Sequence, residues 1–531
     1  MPKRYNLLPL NPINGQSEVM LVKTFGCALY GIHAITITIE VSIDIGINFS
    51  MVGLPDNAVK ESQQRIDSAL RSIGLRIPGK KIVINMAPAD IRKEGSSYDL
   101  SIAVALLAAN EHISTERIGS YIIMGELSLD GTIRPVKGAL PIAIEAQKRK
   151  FRGVILPRQN ATEAAVVGDL DVYGVDHIRE VIELLDGKGS LTPVTVDCRE
   201  EFLNCSADYE HDFSEVRGQE NIKRALEIAA AGGHNLILIG PPGAGKTMLA
   251  KRLPSILPPF TLDEALETTK IHSVAGKMGM HRALIAARPF RSPHHTISDV
   301  ALVGGGAVPQ PGEISLAHHG VLFLDELPEF KRTVLEVLRQ PLEDRVVTIS
   351  RARLSVEYPA SFMLVAAMNP CPCGYYNHPL IECKCGSGIV QKYINRISGP
   401  LFDRIDIHVE VIPVPFRDLS ESRRAEKSAD IRARVIVARR IQEERFAEYP
   451  RIYCNAQITA KTIHNFCALD ESCNRLLKTA MEKLGLSARA FDRILKVSRT
   501  IADLESAPNI RPEHLAEAIN YRSLDRENWG S

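Results

Sequence analysis

An eight-residue stretch has the residue types and spacing of a phosphate-binding loop, G-x-x-x-x-G-K-[ST]. Its glycines would let backbone N–H groups close around phosphates, and the helix N-terminus behind it would add partial positive charge. Lys246 would reach the β- and γ-phosphates of ATP, and the Thr247 hydroxyl would hold Mg²⁺. A glycine turn before a core helix is the alternative interpretation. The stretch consists of Gly240, Pro241, Pro242, Gly243, Ala244, Gly245, Lys246 and Thr247.

Two acidic residues and one amide would supply the rest of a hydrolytic site. Asp325 and Glu326 end a continuous apolar run at residues 320–324. Asp325 would hold Mg²⁺, directly or through water, and Glu326 would orient and deprotonate the attacking water. Asn369 follows another apolar run, where its side chain would contact the γ-phosphate or the water; a turn residue before Pro370 is the alternative. Together with the phosphate loop, these residues predict an ATPase.

The elements around these residues predict an α/β fold. The phosphate loop follows an apolar run at residues 235–239 and leads into residues 248–251, which are typical of the start of a helix. Strand, glycine-rich turn and helix, in this order, form the context in which the loop pattern binds phosphate. The length of 531 residues is enough for about three domains.

Composition and charge narrow the class of protein. The hydrophobic fraction of 45% and the charged fraction of 24% are ordinary for a globular protein. A formal net charge of +1 excludes a uniformly basic nucleic-acid binder, but it allows a local basic surface inside an assembled ring. Because no apolar run approaches membrane-spanning length and the N-terminus lacks the apolar core of a signal peptide, we expect a cytoplasmic protein without membrane contacts.

Residues 1–187 have the pattern of a separate α/β domain. Alternation and short apolar runs predict three of its strands, at residues 35–41, 81–86 and 153–157. Apolar residues at helical spacing predict three helices, at residues 59–73, 98–109 and 178–185.

Two segments of this domain resemble Lon-type serine peptidases. Residues 92–99, Arg-Lys-Glu-Gly-Ser-Ser-Tyr-Asp, are similar to the nucleophile motif, with Ser97 in the nucleophile's place. Residues 131–138 are similar to the segment that leads to the catalytic lysine, which acts as the general base of a Ser–Lys dyad. The place of that lysine falls on Leu140, which cannot take a proton, and Lys137 lies on a different side of the turn. The resemblance therefore implies a Lon-like fold without peptidase activity.

Two insertions near the nucleotide motifs predict loops that face a pore. Residues 345–356 alternate in polarity and carry Arg351 and Arg353 at their centre, as in a β-hairpin with a positive tip. Residues 291–320 are rich in Gly and His and are too long for a plain connection. Ordinary solvated hairpins are the alternative for either segment.

Four of the ten cysteines lie close together in the sequence. Cys371, Cys373, Cys383 and Cys385 form two Cys-x-Cys pairs separated by nine residues. Four thiolates are enough for a tetrahedral structural Zn²⁺, although the usual spacing is Cys-x-x-Cys. A small loop with four reduced cysteines and no metal is the alternative. Lys392 adds positive charge close by.

Several segments are very similar to magnesium-chelatase-type AAA+ ATPases. They are residues 291–295, 311–320, 322–327 and 399–406. Together with the Lon-like segments and the run Asn-Pro-Cys-Pro-Cys-Gly-Tyr at residues 369–375, they identify the chain as a member of the ComM/YifB family of competence-related proteins. The resemblance extends over nearly every residue from about 18 onward.

The resemblance implies roles for two arginines. Arg404 would be the arginine finger that reaches the γ-phosphate bound by a neighbouring subunit, which makes hydrolysis depend on ring assembly. Arg489 would be the second sensor, on a C-terminal lid. Either residue is alternatively a surface arginine paired with a neighbouring acid, and Asp403 and Asp406 lie beside Arg404.

The resemblance also implies the architecture and the activity. The regions would be a Lon-like α/β domain at 1–187, a linker at 188–212, an AAA+ α/β core at 213–412 and an α-helical lid at 413–531. The activity would be that of an ATP-driven hexameric DNA helicase that promotes branch migration during natural transformation and homologous recombination. Arg351, Arg353 and Lys392 would grip the phosphate backbone of single- or double-stranded DNA. A chelatase-like motor that remodels a protein partner is the rival, and an ATP-dependent peptidase is a third function, which Leu140 counts against.

Overall fold

The computed structural model describes residues 20–199, 202, 209–279, 282–306, 308–351, 354–386, 388–413, 425–449 and 452–522. The chain divides into two compact units. The first comprises Met1–Asp197 and Met278–Ala283, and the second comprises Cys198–Lys277 and Leu284–Ser531. The predicted linker at 188–212 lies partly outside the described residues.

The first unit is built on a mixed sheet. Its strands are β1 Met20–Tyr30, β2 His33–Asp44, β3 Asn48–Val52, β4 Lys81–Ala87, β5 Tyr121–Ile123, β6 Glu126–Leu127, β7 Ile133–Arg134, β8 Gly153–Pro157 and β9 Asp171–Val175. Seven of them form one sheet in the order β3-β4-β2-β1-β5-β8-β9, and β6 pairs with β7. β1 and β2 are antiparallel over their length, from Met20 opposite Ile43 to Tyr30 opposite His33. The three predicted strands of this unit are confirmed.

The helices of the first unit are Asn57–Lys60, Ser62–Ser72, Asp99–Ala109, Ala139–Lys148, Arg158–Ala164 and Ile178–Leu185. Asp99–Ala109 is buried on all sides, because its residues are almost all apolar, and it forms the centre of the unit. The predicted helix at 59–73 differs in its start. It begins at Asn57, because the Asp56 carboxylate accepts the Val59 N–H and caps it, and it is interrupted at Glu61.

The second unit contains a five-stranded parallel sheet. The strands of this unit are β10 Leu236–Ile239, β11 Phe290–Arg291, β12 Gly304–Gly305, β13 Gln310–Pro311, β14 Val321–Leu324, β15 Val346–Arg351, β16 Leu354–Pro359, β17 Met363–Met368 and β18 Ile407–Glu410. Five of them form the parallel sheet, in the order β11-β14-β17-β10-β18. β10, β14 and β17 are buried along their whole length, as expected of parallel strands covered on both faces.

Helices cover this sheet and continue to the end of the described chain. They are Glu220–Gly232, Lys246–Arg252, Leu262–Val274, Asp299–Val303, Glu313–Leu316, Arg332–Glu336, Arg339–Asp344, Ile389–Ile394, Gly399–Phe402, Ser428–Arg445, Ile463–Phe466, Glu471–Leu484, Ala488–Leu504 and Pro512–Asn520. One buried apolar cluster joins the sheet to the C-terminal helices, with Leu226, Val435 and Ile494 among its members. The mixed α/β class predicted from the sequence is confirmed.

Two of the C-terminal helices are long. Glu471–Leu484 has 14 residues and Ala488–Leu504 has 17. Each begins at a side-chain cap, where Asp470 accepts the Cys473 N–H and Ser487 accepts the Ala490 N–H.

The hairpin expected at residues 345–356 is present. β15 and β16 pair antiparallel, from Val346 opposite Pro359 to Arg351 opposite Leu354. Arg351 ends β15, and Arg353 lies outside the described residues. The insertion at 291–320 contains the short helix Asp299–Val303 and the β12–β13 pair. In the part of the chain that the structure describes, no helix is long and apolar enough to cross a lipid bilayer.

Candidate functional site

The phosphate loop connects β10 to the helix that begins at Lys246. Gly243 and Gly245 have φ values of +77° and +86°, a region that L-residues with side chains rarely adopt. The backbone therefore turns between the strand and the helix in the way the glycine pattern predicted. Because the helix starts within the loop, its first N–H groups are directed to the same side as the loop.

Lys246 is buried, and its ammonium group has only oxygen partners. Its Nζ donates to Gly240 O at 2.7 Å, to Pro241 O at 3.0 Å and to Asn369 Oδ1 at 3.1 Å. Burial lowers the pKa of Lys246 below its ordinary value, while Asp325 and Glu326 act in the opposite direction. A phosphate arriving at the loop would replace these neutral acceptors with a charged one.

Thr247 and Asp325 lie together at the start of the helix. The Thr247 hydroxyl donates to Asp325 Oδ2 at 2.6 Å. Hydroxyl and carboxylate oxygens are the kinds of ligand that Mg²⁺ takes beside nucleotide phosphates. The donor set at this position therefore fits the ion.

Sheet order explains why residues distant in sequence converge here. β17 lies between β10 and β14, so the three strands present their carboxyl ends side by side. Ile239 at the end of β10 is opposite Met368 at the end of β17. The phosphate loop, Asn369 and Asp325 follow these three ends, which is where ligands bind in open parallel sheets.

Glu326 follows Asp325 in a left-handed backbone conformation, with φ +53°. Asp325 Oδ1 accepts the Glu326 N–H at 3.0 Å. The Glu326 side chain is 57% exposed, and its Oε2 lies 3.4 Å from His295 Nδ1. Its exposure makes it accessible to water, as a general base requires.

His295 is a site residue that sequence reasoning did not single out. It follows β11, which is paired with β14, the strand that leads to Glu326. The signal was available, since the Pro-His-His run comes directly after a strand of the nucleotide-binding sheet. The sequence does not show which of the two adjacent histidines contacts Glu326, because that contact depends on the pairing of β11 with β14.

Arg404 does not contact the phosphate loop of its own chain through any of its hydrogen bonds. Its guanidinium pairs with Glu343 and donates to the Pro400 carbonyl. Asn235, which precedes β10, donates from Nδ2 to Arg404 O at 3.0 Å. Asp406 in turn accepts the Asn235 N–H at 3.0 Å. The backbone that carries Arg404 is thus fixed to the residue just before the strand that leads to the phosphate loop.

Arg489 is on the long C-terminal helix, and its side chain is 65% exposed. Its Nη1 lies 2.8 Å from Asp403 Oδ2, which places it beside the residue that precedes Arg404. One turn further along the helix, Arg493 Nη1 lies 3.0 Å from the buried Asp406 Oδ1. The helix is therefore attached to both sides of Arg404.

The four candidate zinc ligands come together. Their sulfurs all lie within 4.8 Å of one another. Hydrogen bonds from the Tyr375 backbone and the Cys371 thiol lower the pKa of Cys373 to about 6 against the effect of desolvation. For Cys383, the Cys385 backbone N–H favours the thiolate, but desolvation and the neighbouring thiols prevail and raise its pKa to about 12.

A second cluster with metal-ligand residue types consists of Glu267, His318 and His319. The Ser361 N–H donates to His318 Nδ1 at 2.9 Å, so the proton of the neutral ring sits on Nε2. That Nε2 lies 3.2 Å from Glu267 Oε2 and has no lone pair free for a metal. Burial lowers the pKa of His318 to about 4, which keeps the ring neutral. The Ser361 hydrogen bond accounts for the orientation of His318, and His318 Nε2 and His319 Nε2 each lie 3.2 Å from Glu267 Oε2.

The candidate DNA contacts are described to different extents. Lys392 is exposed on the helix Ile389–Ile394. Arg351 is described by its backbone at the end of β15, and Arg353 lies outside the described residues. The base of the hairpin is anchored by Tyr358, whose hydroxyl donates to Pro309 O at 2.7 Å. The anchored base fixes the direction in which the hairpin leaves the fold.

The Lon-like segments lie in the first unit. Ser97 is partly exposed, whereas Leu140 is fully buried in the helix Ala139–Lys148. The Leu140 N–H donates to Glu163 Oε1 at 3.0 Å. Lys137 is exposed. The place that the Lon resemblance gives to the general base is therefore occupied by a buried leucine.

Comparison with known proteins identifies the family. Family models described as "Magnesium chelatase, subunit ChlI", "Magnesium chelatase, subunit ChlI C-terminal" and "Subunit ChlI of Mg-chelatase" match residues 212–419, 425–522 and 39–160. The chain is 46% identical over 504 residues to the uncharacterized protein YifB of Salmonella typhimurium, covering 94% of this chain and 96% of YifB. It is 44% identical over 509 residues to the competence protein ComM of Haemophilus influenzae, covering 95% and 98%. The chain belongs to the ComM/YifB family.

Membership makes this a magnesium-chelatase-like AAA+ protein related to a competence protein, and it indicates the use of ATP and Mg²⁺. A weaker similarity is to Lon protease 2 of Bacillus subtilis, 30% identical over 189 residues, which are 30% of this chain and 33% of that protease. The similarity to Lon peptidases seen in the sequence motifs is therefore supported.

Proposed function

We propose that this protein is an ATP-driven DNA translocase that works as a hexameric ring and promotes branch migration during natural transformation and homologous recombination. The ATPase part of the proposal is carried by one observation: the convergence of Lys246, Thr247, Asp325 and Asn369 at the ends of three neighbouring strands. The DNA part is supported by the likeness to a competence protein over 95% of the chain.

The residues at the phosphate loop divide the work of hydrolysis. Lys246 holds the β- and γ-phosphates in place of its present carbonyl partners, and Thr247 and Asp325 are the residues that hold Mg²⁺. The bound ion neutralises phosphate charge. Glu326 accepts a proton from the attacking water, and Asn369, fixed by Lys246, orients that water or the γ-phosphate.

Arg404 completes the site of a neighbouring subunit. Its side chain is engaged with Glu343 and Pro400 of its own chain, and a γ-phosphate across a subunit boundary would compete for it. An arginine supplied in trans is worth about 10³–10⁵-fold in hydrolysis rate in related systems. Hydrolysis would then require assembly, which supports a ring as the active form.

DNA would be held through its phosphates by the β15–β16 hairpin, with Arg351 and Arg353, and by Lys392. Contacts of this kind are independent of sequence and sensitive to salt. Because Val347 and Tyr358 are opposite each other near the base of the hairpin and both are buried, movement of the core on hydrolysis would be transmitted to the tip. We place the working protein in the cytoplasm, where its substrate would be.

The test is branch migration of a three-stranded DNA by the full-length protein. We expect DNA to stimulate ATP hydrolysis, wild-type protein to move the branch, and Lys246→Ala to do neither. Lys251→Ala is the matched control, because Lys251 is exposed on the same helix as Lys246. Wild-type protein that hydrolyses ATP but neither binds nor moves DNA would rule out the translocase.

A chelatase-like motor that remodels a protein partner is the second candidate. It is favoured by the family models, which match 212–419 and 425–522 under the name of a magnesium-chelatase subunit. DNA stimulation of ATP hydrolysis separates the two functions, since a protein-remodelling motor should hydrolyse ATP at the same rate with and without DNA.

We also propose that the four clustered cysteines bind one structural Zn²⁺.

A further inference from the structure

The proposed zinc loop lies against the phosphate loop. Cys371, which is fully buried, comes two residues after Asn369, the residue that accepts a hydrogen bond from Lys246. Gly374 N–H donates to Cys371 O at 3.0 Å and closes a tight turn. The cysteine loop therefore begins within the nucleotide site itself.

Gly374 brings the cysteine loop onto a proline of the phosphate loop. A Cβ at position 374 would lie 2.5 Å from Pro242 Cδ and 2.9 Å from Pro242 Cγ. Gly374 also has φ +85°, so its backbone conformation favours glycine as well. Pro242 stands between Pro241, whose carbonyl accepts from Lys246 Nζ, and Gly243. The turn after Cys373 thus packs directly on the part of the phosphate loop that binds Lys246.

The sulfur positions match a tetrahedral zinc site. Cys371 Sγ lies 3.3 Å from Cys373 Sγ and 3.7 Å from Cys383 Sγ, and the distance from Cys373 Sγ to Cys383 Sγ is 3.6 Å. A tetrahedron with Zn–S bonds of about 2.3 Å has edges of about 3.8 Å. These distances are far longer than the roughly 2.05 Å of a disulfide bond. The Tyr376 N–H also donates to Cys371 Sγ at 3.3 Å, as expected at a thiolate ligand.

We propose that zinc held by the four cysteines keeps the phosphate loop in its nucleotide-binding conformation, through the contact of Gly374 with Pro242. This rests on the proposed binding of ATP at Lys246. Without the ion, four thiols joined only by weak hydrogen bonds would have to hold Gly374 against the proline. The cysteine loop is then a positioning element for the nucleotide site, and zinc content controls nucleotide affinity.

The chain offers a control at a glycine that has neither the short contact nor the positive φ of Gly374. Gly386 follows Cys385 as Gly374 follows Cys373, so it occupies the corresponding place after the second Cys-x-Cys pair. A Cβ at Gly386 would meet only Ile389 Cδ1, at 3.7 Å, which is an ordinary contact distance. Gly386→Ala should therefore leave both the loop and the nucleotide site unchanged.

The experiment uses full-length protein purified under reducing conditions. Zinc content is measured by inductively coupled plasma mass spectrometry, and ATP affinity is measured with a fluorescent ATP analogue. We expect about one zinc ion per chain. Gly374→Ala should retain zinc and bind nucleotide about fivefold more weakly or worse, whereas Gly386→Ala should match wild type in both. Cys383→Ser should lose zinc and bind nucleotide as weakly as Gly374→Ala.

Three results would overturn the proposal: wild-type protein without zinc, Gly374→Ala with wild-type affinity, or Cys383→Ser that loses zinc and keeps wild-type affinity. Because Gly374→Ala keeps all four cysteines, it tests the contact even where Cys383→Ser does not fold. Wild-type protein that binds no nucleotide at all would instead contradict the proposed ATPase, and failure to move DNA would leave the zinc measurements unaffected.

Discussion

At the phosphate loop, Lys246 contacts Asn369, and Thr247 contacts Asp325, across three neighbouring strands. Arg404, by contrast, is paired with a carboxylate of its own chain, as is Arg489. The first group already has the arrangement that nucleotide requires. The second group is occupied by internal partners and would have to exchange them for a phosphate.

This difference is the one expected of a site shared between two subunits. In the proposed site, the residues that would bind nucleotide come together within one chain through the order of its strands. The two arginines that would act on a neighbour's nucleotide are paired with Glu343 and Asp403 of their own chain. An isolated subunit would then bind ATP but hydrolyse it slowly, because the transition-state charge lacks its arginine.

The largest expected effect is that of Arg404→Ala. We expect a loss of about 10³-fold in the rate of hydrolysis, with ATP binding retained, because a trans arginine acts on the transition state. A mixture of Arg404→Ala with Lys246→Ala should recover activity, since each subunit supplies what the other lacks. Steady-state hydrolysis of the two variants, alone and mixed, measures this. Arg396→Ala, which removes an exposed arginine paired with Glu329, is the control. Full activity of Arg404→Ala would remove the basis of the comparison.

Asn369→Ala should have the next largest effect. We expect hydrolysis to fall by about 10²-fold, the scale seen when one positioned polar group is removed from a catalytic site. ATP affinity should change little, because Gly240 O and Pro241 O still hold Lys246 at the loop until phosphate replaces them. Single-turnover hydrolysis, with affinity measured separately, distinguishes these quantities. An equal loss in both would mean that Asn369 serves only to hold Lys246.

The comparison also explains how far the sequence alone could go. Motifs predicted the phosphate loop, Asp325, Glu326 and Asn369, because each follows an apolar run that forms a parallel strand. Alternation likewise predicted β2 and the β15–β16 hairpin. These patterns report local periodicity, which folding preserves wherever burial requires it.

Contacts between distant segments could not be predicted in this way. Nothing in the spacing of Cys373 and Gly374 indicates that this turn packs on Pro242. The pairing of His295 with Glu326 likewise depends on β11 lying next to β14. The roles of Arg404 and Arg489 came from family resemblance and stay predictions.

His295→Ala should have a milder effect, on the residues around the phosphate loop. His295 Nδ1 lies 3.4 Å from Glu326 Oε2, so it competes with water for that carboxylate. We expect hydrolysis without DNA to rise about threefold and stimulation by DNA to shrink, a change of about 0.7 kcal/mol that lies in the range of one ordinary hydrogen bond. His464→Ala is the control, because His464 is an exposed histidine on the helix Ile463–Phe466; His294 is unsuitable, since its ring centroid lies 4.1 Å from that of His295. Equal behaviour of the two variants in a DNA-titrated ATPase assay would contradict a role for His295.

The smallest expected effect is that of Arg489→Ala, which tests the second group directly. Its exposed pair with Asp403 contributes little to stability, since such pairs are screened by solvent. If Arg489 must leave Asp403 to reach a phosphate, Arg489→Ala should lower hydrolysis by a few-fold, while Asp403→Asn should raise nucleotide affinity by releasing the arginine. A surface arginine without this role predicts that both variants match wild type. The two substitutions remove opposite members of one ion pair, so a purely structural pair would change activity in the same direction for both. Opposite changes in activity for the two variants would show that Asp403 keeps Arg489 away from the phosphate.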